Sequence, residues 1–221
     1  MGLINFGDLD RLEPVSRTFG FDRGSPVDRY YIEKFLAQHA TDIRGRVLEI
    51  GDDSYTRRFG GDRVQRRDVL HVNAGNSAAT IVGDLTGADH IPSNAFDCLI
   101  LTQTLDLIYD LRKALQTIWR ILKPAGVLLA TFPGISQISN DEWAENWCWS
   151  LTSKSAMQLF AEVFPQESMT LQVYGNVLTA ISFLQGLAVS ELTPDELESH
   201  DPSFELLLSM RAVKPGDAIQ P

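Results

Sequence analysis

Short apolar runs alternate with amphipathic stretches along most of this chain. The runs at 47–50, 69–72, 80–82, 96–101 and 127–132 read as strands, the fourth being almost wholly apolar. Strands buried on both faces give continuous apolar runs rather than strict alternation. Between and around them the period changes. Over 28–40, Tyr31, Ile32, Phe35, Leu36 and His39 fall along one side at helical spacing, and Pro26 suits the turn that opens such a helix. Over 110–122, Leu111, Leu115, Ile118, Trp119 and Leu122 share a face. Lys123-Pro124-Ala125-Gly126 then stops the helix, since proline cannot continue it and glycine permits the turn. Beyond Pro133 the pattern predicts a helix over 153–164, a strand over 169–173, a helix over 176–191 and a closing strand over 204–213. Strands alternating with helices argue for a mostly parallel sheet with right-handed crossovers. The expected organisation is an irregular arm over 1–27, one α/β domain over 28–213 and a loose tail over 214–221.

Composition narrows the setting. A chain of 221 residues can bury one full α/β core but is short for two. Its net charge of −10 repels phosphate backbones and anionic lipid, so nucleic acid and membrane surfaces are poor partners. Arg57, Arg58, Arg63, Arg66 and Arg67 are a local exception. Such a run can recognise a phosphate or carboxylate, although its commoner role is a solvated face. No apolar run approaches the roughly 18 residues that span a bilayer. Residues 1–10 lack the basic flank and apolar centre of a signal peptide. Cys98 and Cys148 fit a reducing compartment, so a cytoplasmic location is expected. His39, His71, His90 and His200 are dispersed, and no metal site is expected.

Candidate chemistry centres on Arg46-Val47-Leu48-Glu49-Ile50-Gly51-Asp52-Asp53-Ser54-Tyr55. A strand delivers the chain through an acid and a glycine to a polar turn, at the sheet edge where open α/β folds bind ligands. The stretch resembles motif I of class I S-adenosylmethionine (SAM)-dependent methyltransferases, acid-x-Gly-x-Gly-x-Gly. Glu49 and Gly51 match it, while Asp53 and Tyr55 stand where further glycines are usual. Gly83-Asp84-Leu85 resembles the family's adenine-binding turn, and Leu122-Lys123-Pro124-Ala125-Gly126 its Leu-Lys-Pro-Gly-Gly turn. The resemblance implies a Rossmann-like class I methyltransferase fold: a seven-stranded, mostly parallel sheet with helices on both faces. It implies SAM as cofactor, held by Glu49, Gly51, Asp53, Asn73, Asp84, Leu85, Thr102 and Gln103. Asp53 would take the methionine ammonium, Asn73 the ribose, Asp84 the adenine amino group, and Leu85 would pack on the ring. Phe21-Asp22-Arg23-Gly24-Ser25-Pro26-Val27-Asp28-Arg29-Tyr30-Tyr31, Tyr55-Thr56-Arg57-Arg58-Phe59-Gly60-Gly61 and Phe132-Pro133-Gly134-Ile135-Ser136-Gln137 look like stretches of bacterial methyltransferase-domain proteins encoded with glycosyltransferases or secondary-metabolite enzymes. Asp22-Arg23 would close over the methionine carboxylate.

The acceptor implied is a small molecule, with O-methylation of a sugar, glycoside or secondary metabolite favoured. Asp106, just past the fourth strand, is the candidate catalytic base; its plain reading is a solvated carboxylate or helix cap. Trp143 and Trp147 would share one helical face and suit a sugar ring, or belong to the core. Gly-x-Gly-x-x-Gly, a P-loop lysine and a Gly-x-Ser-x-Gly elbow are all absent, which removes the corresponding classes. The rival reading is a catalytically inactive methyltransferase-like binding or scaffold module with a degenerate SAM site. A homodimer is compatible with either.

Overall fold

The computed structural model describes residues 7–141 and 143–216. The ends of the expected arm and tail, 1–6 and 217–221, lie outside the described residues. Seven strands form one sheet in the order β3-β2-β1-β4-β5-β7-β6. They are β1 (Gly45–Ile50), β2 (Val64–His71), β3 (Ile81–Val82), β4 (Phe96–Thr102), β5 (Leu122–Pro133), β6 (Met169–Tyr174) and β7 (Leu207–Val213). β1 to β5 pair in parallel, and β7 runs antiparallel between β5 and β6. The strand order reverses between β1 and β4, which puts the crevice for a ligand at their carboxyl ends.

Alternation along the strands feeds two cores. Leu48, Leu70, Leu99, Leu128 and Met210 face α2 (Leu111–Ile121) and α3 (Ser153–Ala161). Val47, Cys98, Ile100, Leu129 and Leu207 face α1 (Val27–Gln38), α4 (Val177–Leu184) and α5 (Pro194–Glu198). Helices therefore cover both faces, as expected. Among the described residues no helix is long and apolar enough to cross a membrane.

Several elements differ from the sequence reading, among them the helix over 153–164, which ends at Ala161, and the closing strand over 204–213, which begins at Leu207. β2 starts at Val64, well before the apolar run, because pairing with β1 recruits Arg66 and Arg67 opposite Arg46 and Val47. β5 resumes at Leu122, opposite Phe96, and the expected turn is a bulge inside the strand with Ala125 at φ 61°. The expected helix over 176–191 ends at Leu184, where Gly186 turns at φ 70°. α5 was not anticipated, yet its signal is present: Thr193 caps it, Pro194 opens it, and Glu196 closes the capping box.

One glycine fixes the exit of β5 toward the sheet's carboxyl edge. A Cβ on Gly134 would stand 2.0 Å from the Glu205 carbonyl oxygen and 2.9 Å from Leu208 Cδ1. Backbone is among the atoms it would meet, so relief requires moving the segment that leads into β7 rather than a rotamer. Gly134→Ala is expected to cost about 3 kcal/mol, the upper range for overpacking, read as a lower urea midpoint. An unchanged midpoint would mean that this strand end shifts freely.

Candidate active site

A cleft of about 250 Å³ opens at the carboxyl end of β4. Five segments build it: the arm (Thr18, Phe19, Phe21), the start of α1 (Asp28, Arg29), the turn after β4 (Gln103, Asp106), the loop after β5 and α4 (Phe183). The loop contributes Trp143 and Trp147, which flank a 3-10 turn rather than sharing an α-helical face. Trp147 stacks on Phe19 at 6.2 Å, and Trp143 meets the His71 ring edge-on at 5.9 Å.

Buried polar groups converge on this cleft. Asp106 is 1% exposed, and neither carboxylate oxygen has a hydrogen-bond partner among the described residues. Burial pushes its carboxyl up to about 7, against weaker help for the charged form from its own backbone and from Arg29. The Asp106 carbonyl accepts from the amides of Cys148 and Trp149, which anchors the segment carrying the side chain. Asp28 is also buried; one oxygen accepts from Gln103 Nε2 at 3.1 Å and the other is unpartnered, as is Gln103 Oε1. Gln103 sits at φ 46°, a conformation that L residues rarely adopt outside overdetermined sites, and its amide donates to the Thr131 carbonyl. Burial opposes the charge on Arg29, but Asp28, Tyr55 and Glu33 outweigh it and keep the guanidinium ionised. Its guanidinium also lies 5.7 Å from the Phe21 ring centre.

The loop after β1 is held from beneath. Glu49, 3% exposed, accepts from the amides of Tyr55 at 3.1 Å and Thr56 at 2.7 Å. Burial raises its carboxyl to about 7 despite those bonds. Gly51 turns at φ 85°, and a Cβ built there would have nothing within 4 Å. Its amide donates to the Leu70 carbonyl, and its carbonyl accepts from Asn76.

The comparisons fall on this geometry. Residues 35–130 match the family model described as a methyltransferase domain. No curated protein sequence matches the chain. Among solved structures, a SAM-dependent methyltransferase from Archaeoglobus fulgidus superposes with a TM-score of 0.56 at 10% identity, over 84% of this chain and 94% of that one. The chain has the class I SAM-dependent methyltransferase fold. The [4+2]-cyclase SpnF is similar at a TM-score of 0.56 and 17% identity, over 88% of this chain and 84% of that one. Phosphoethanolamine N-methyltransferase 2 of Haemonchus contortus, solved with S-adenosyl-L-methionine, gives 0.54 at 13%, over 90% of this chain and 60% of that one.

Within the methyltransferase fold the expected cofactor residues divide. Gly51 offers bare backbone to a ligand. Asp84 is exposed beyond β3, with one oxygen capping its own turn through the Thr86 amide at 2.8 Å. Asn73 makes a similar turn with the Gly75 amide. Thr102 ends β4 and Gln103 lines the cleft. Others are engaged within the protein. Asp53 is turned away into ion pairs with Arg57 Nε at 2.8 Å and Arg67 Nε at 3.1 Å, so the arginines have taken the place expected for an ammonium. Leu85 is 4% exposed and joins the core with Leu48 and Leu70. Asp22 accepts from Ser16 and Thr18, and Arg23 pairs with Glu191, so both are engaged within the protein. Asp106 is neither solvated nor a helix cap; Asp110 caps α2 instead. Tyr55, the other replacement in motif I, packs toward α1, stacks on Phe59 at 6.1 Å and interacts with Arg29. Asp28 lies in one of the resembling stretches, but sequence reasoning did not single it out as a site residue: the fold brings it to Gln103.

SAM suits the residues present in two respects. The open side of Gly51 admits close backbone approach, and the unpartnered oxygens of Asp28 and Gln103 face a cleft fit for cationic groups.

Proposed function

We propose that the chain binds SAM along the carboxyl ends of β1 to β4 and methylates a hydroxyl of a small-molecule acceptor seated in the cleft. SAM, when bound, supplies an electrophilic methyl group on its sulfonium. Gly51 admits the cofactor's tail, Asn73 and Asp84 offer acceptors to its nucleoside, and Thr102 and Gln103 flank its reactive end. The observation that carries the reading is Asp106. A carboxylate buried without partners, with a pKa near 7, is suited to take the proton from an acceptor hydroxyl as that oxygen forms its bond to carbon. Phe19, Trp143, Trp147 and Phe183 would exclude water and give a ring-shaped acceptor flat apolar faces. That lining supports a sugar, glycoside or aromatic secondary metabolite, and the cavity volume supports a small acceptor over a macromolecule.

A second reading rests on specific observations. Asp53 is committed to two arginines and Leu85 to the core, which favours a module that binds without transferring. Calorimetric titration with SAM and S-adenosylhomocysteine separates the two, repeated on Asp84→Ala and Gly51→Val. Micromolar binding by the parent chain is expected, weakened at least tenfold in each variant, with labelled methyl passing from SAM to a hydroxyl in an acceptor screen. Folded protein that binds neither ligand would overturn both the cofactor and the transfer. Binding without transfer to any hydroxyl acceptor would leave the second reading in place.

A further inference from the structure

A second cavity, of about 350 Å³, lies on the β2 side of the sheet and shares no lining residue with the cleft. Asp53, Arg57, Gln65, Arg66, Arg67 and Thr80 provide its polar lining. Its existence follows from how little covers β2. Two short helical turns, Thr56–Gly60 and Gly61–Arg63, connect β1 to β2, and β3 pairs solely with Leu70 and His71. The earlier half of β2 therefore keeps an open edge among the described residues. Thr80 closes that edge at Val69, its amide donating to the Val69 carbonyl at 3.0 Å and its hydroxyl accepting from the Val69 amide at 2.9 Å. Hydrogen-bonding directions alternate along a strand, so the Arg67 amide points out of the same edge.

The charge here opposes that of the whole protein. Four guanidinium groups, Arg46, Arg57, Arg66 and Arg67, meet two carboxylates, Asp53 and Asp68. Two positive charges remain in a chain whose net charge is −10. Both acids stay ionised. Hydrogen bonding from Arg57 holds the Asp53 carboxyl below the ordinary value; for Asp68, burial opposes ionisation but Arg46 and Arg66 outweigh it. Arg57 and Arg67 each meet Asp53 through Nε, and their Nη groups have no hydrogen-bond partner among the described residues. Those forks, the outward Arg67 amide, the Gln65 side chain and the Thr80 hydroxyl surround one concavity. Planar guanidinium forks recognise phosphate oxygens in pairs, and an excess of two positive charges matches a phosphoryl dianion.

We propose that this groove is a binding site for a phosphoryl-bearing small molecule, with Arg57 and Arg67 as its principal ligands and Asp53 as the internal group that holds them in its absence. The site does not depend on methyl transfer, so its test can fail or succeed alone.

The full chain is titrated with pyrophosphate at low and at physiological salt, alongside Arg57→Ala, Arg67→Gln, Asp53→Asn and, as a remote control, Arg112→Ala. Circular dichroism confirms the fold of each variant. Submillimolar binding is expected in the parent chain, weakened by salt. Arg57→Ala and Arg67→Gln should each lose at least tenfold, Asp53→Asn should tighten binding severalfold because its arginines are released, and Arg112→Ala should change nothing. Co-sedimentation with vesicles carrying phosphatidic acid distinguishes a lipid headgroup from a free phosphate, and the free ligand is expected to bind while vesicles do not. Vesicle binding by the same arginines would overturn the small-molecule assignment. No pyrophosphate binding, or equal losses in Arg67→Gln and Arg112→Ala, would overturn the site and leave these arginines as guards of an open strand edge.

Discussion

Asp106→Asn is expected to lower methyl transfer by about 10²- to 10⁴-fold, the usual contribution of a positioned general base, while making the protein harder to unfold above neutral pH. Both effects have one cause. The carboxyl is buried without partners and its pKa is pushed from 3.8 to about 7. Between those values the folded state holds a proton that the unfolded chain has released, so stability falls as pH rises through that window. Above pH about 7 the full deficit is present. Asparagine is neutral throughout and escapes it. The gain in Tm should therefore be largest near pH 8 and fade toward pH 4, where the parent carboxyl is protonated in both states. Transfer by the parent chain should rise with pH through about 7 as the base form appears, and the variant's residual rate should be flat across that range. Thermal unfolding at the two pH values and one pH–rate profile check these statements together. An equal Tm gain at both pH values would remove the titration argument, and a parent-like rate would remove the base.

Glu49→Ala is the second large effect. It strips the acceptor from two amides, Tyr55 at 3.1 Å and Thr56 at 2.7 Å, beneath the loop that follows Gly51. An unsatisfied buried donor costs about 1–3 kcal/mol, and two of them act on one loop. The urea midpoint should fall, and SAM affinity should drop at least tenfold because the Gly51 turn loses its support. The sign of the pH dependence is distinctive. With the Glu49 pKa raised to about 7 by burial, the parent chain is best stabilised on the acid side, so the variant's deficit should be larger at pH 6 than at pH 8. Glu49→Gln should recover only part of both properties, because Tyr55 and Thr56 donate to different oxygens and glutamine keeps one acceptor while turning an NH2 against the other amide. Unfolding curves at the two pH values, with SAM titrations of each variant, decide the matter. An alanine variant with parent-like midpoint and affinity would show that the loop is held by other contacts.

Much of this fold could be read from the chain because strand burial and helix amphipathicity are local signals. The β1, β4 and β5 cores, the α2 face and its Asp110 cap are written in runs and periods of neighbouring residues. Motif I was legible as a place, since an acid and a glycine after an apolar strand mark the sheet edge where ligands bind. Its details were not. Asp53 turned toward Arg57 and Arg67 because β2 begins earlier than its apolar run and carries Arg67 beneath the loop, a matter of pairing register. Leu85 sank into the core because the segment between β3 and β4 has no helix of its own to shield Leu48 and Leu70.

The sequence by itself determined a single α/β sheet with its ligand edge after β1 and β4, through the spacing of apolar residues that must leave water. Only the tertiary structure decided that Asp28, Gln103 and Asp106 share one cleft, that Asp106 is buried there without partners, and that four arginines gather around two acids on the opposite flank. The reason is physical. Desolvation and pairing, which set a carboxyl's pKa and an arginine's free valence, depend on what is packed against it in space, and that neighbour can be distant in sequence, as Gln103 is from Asp28.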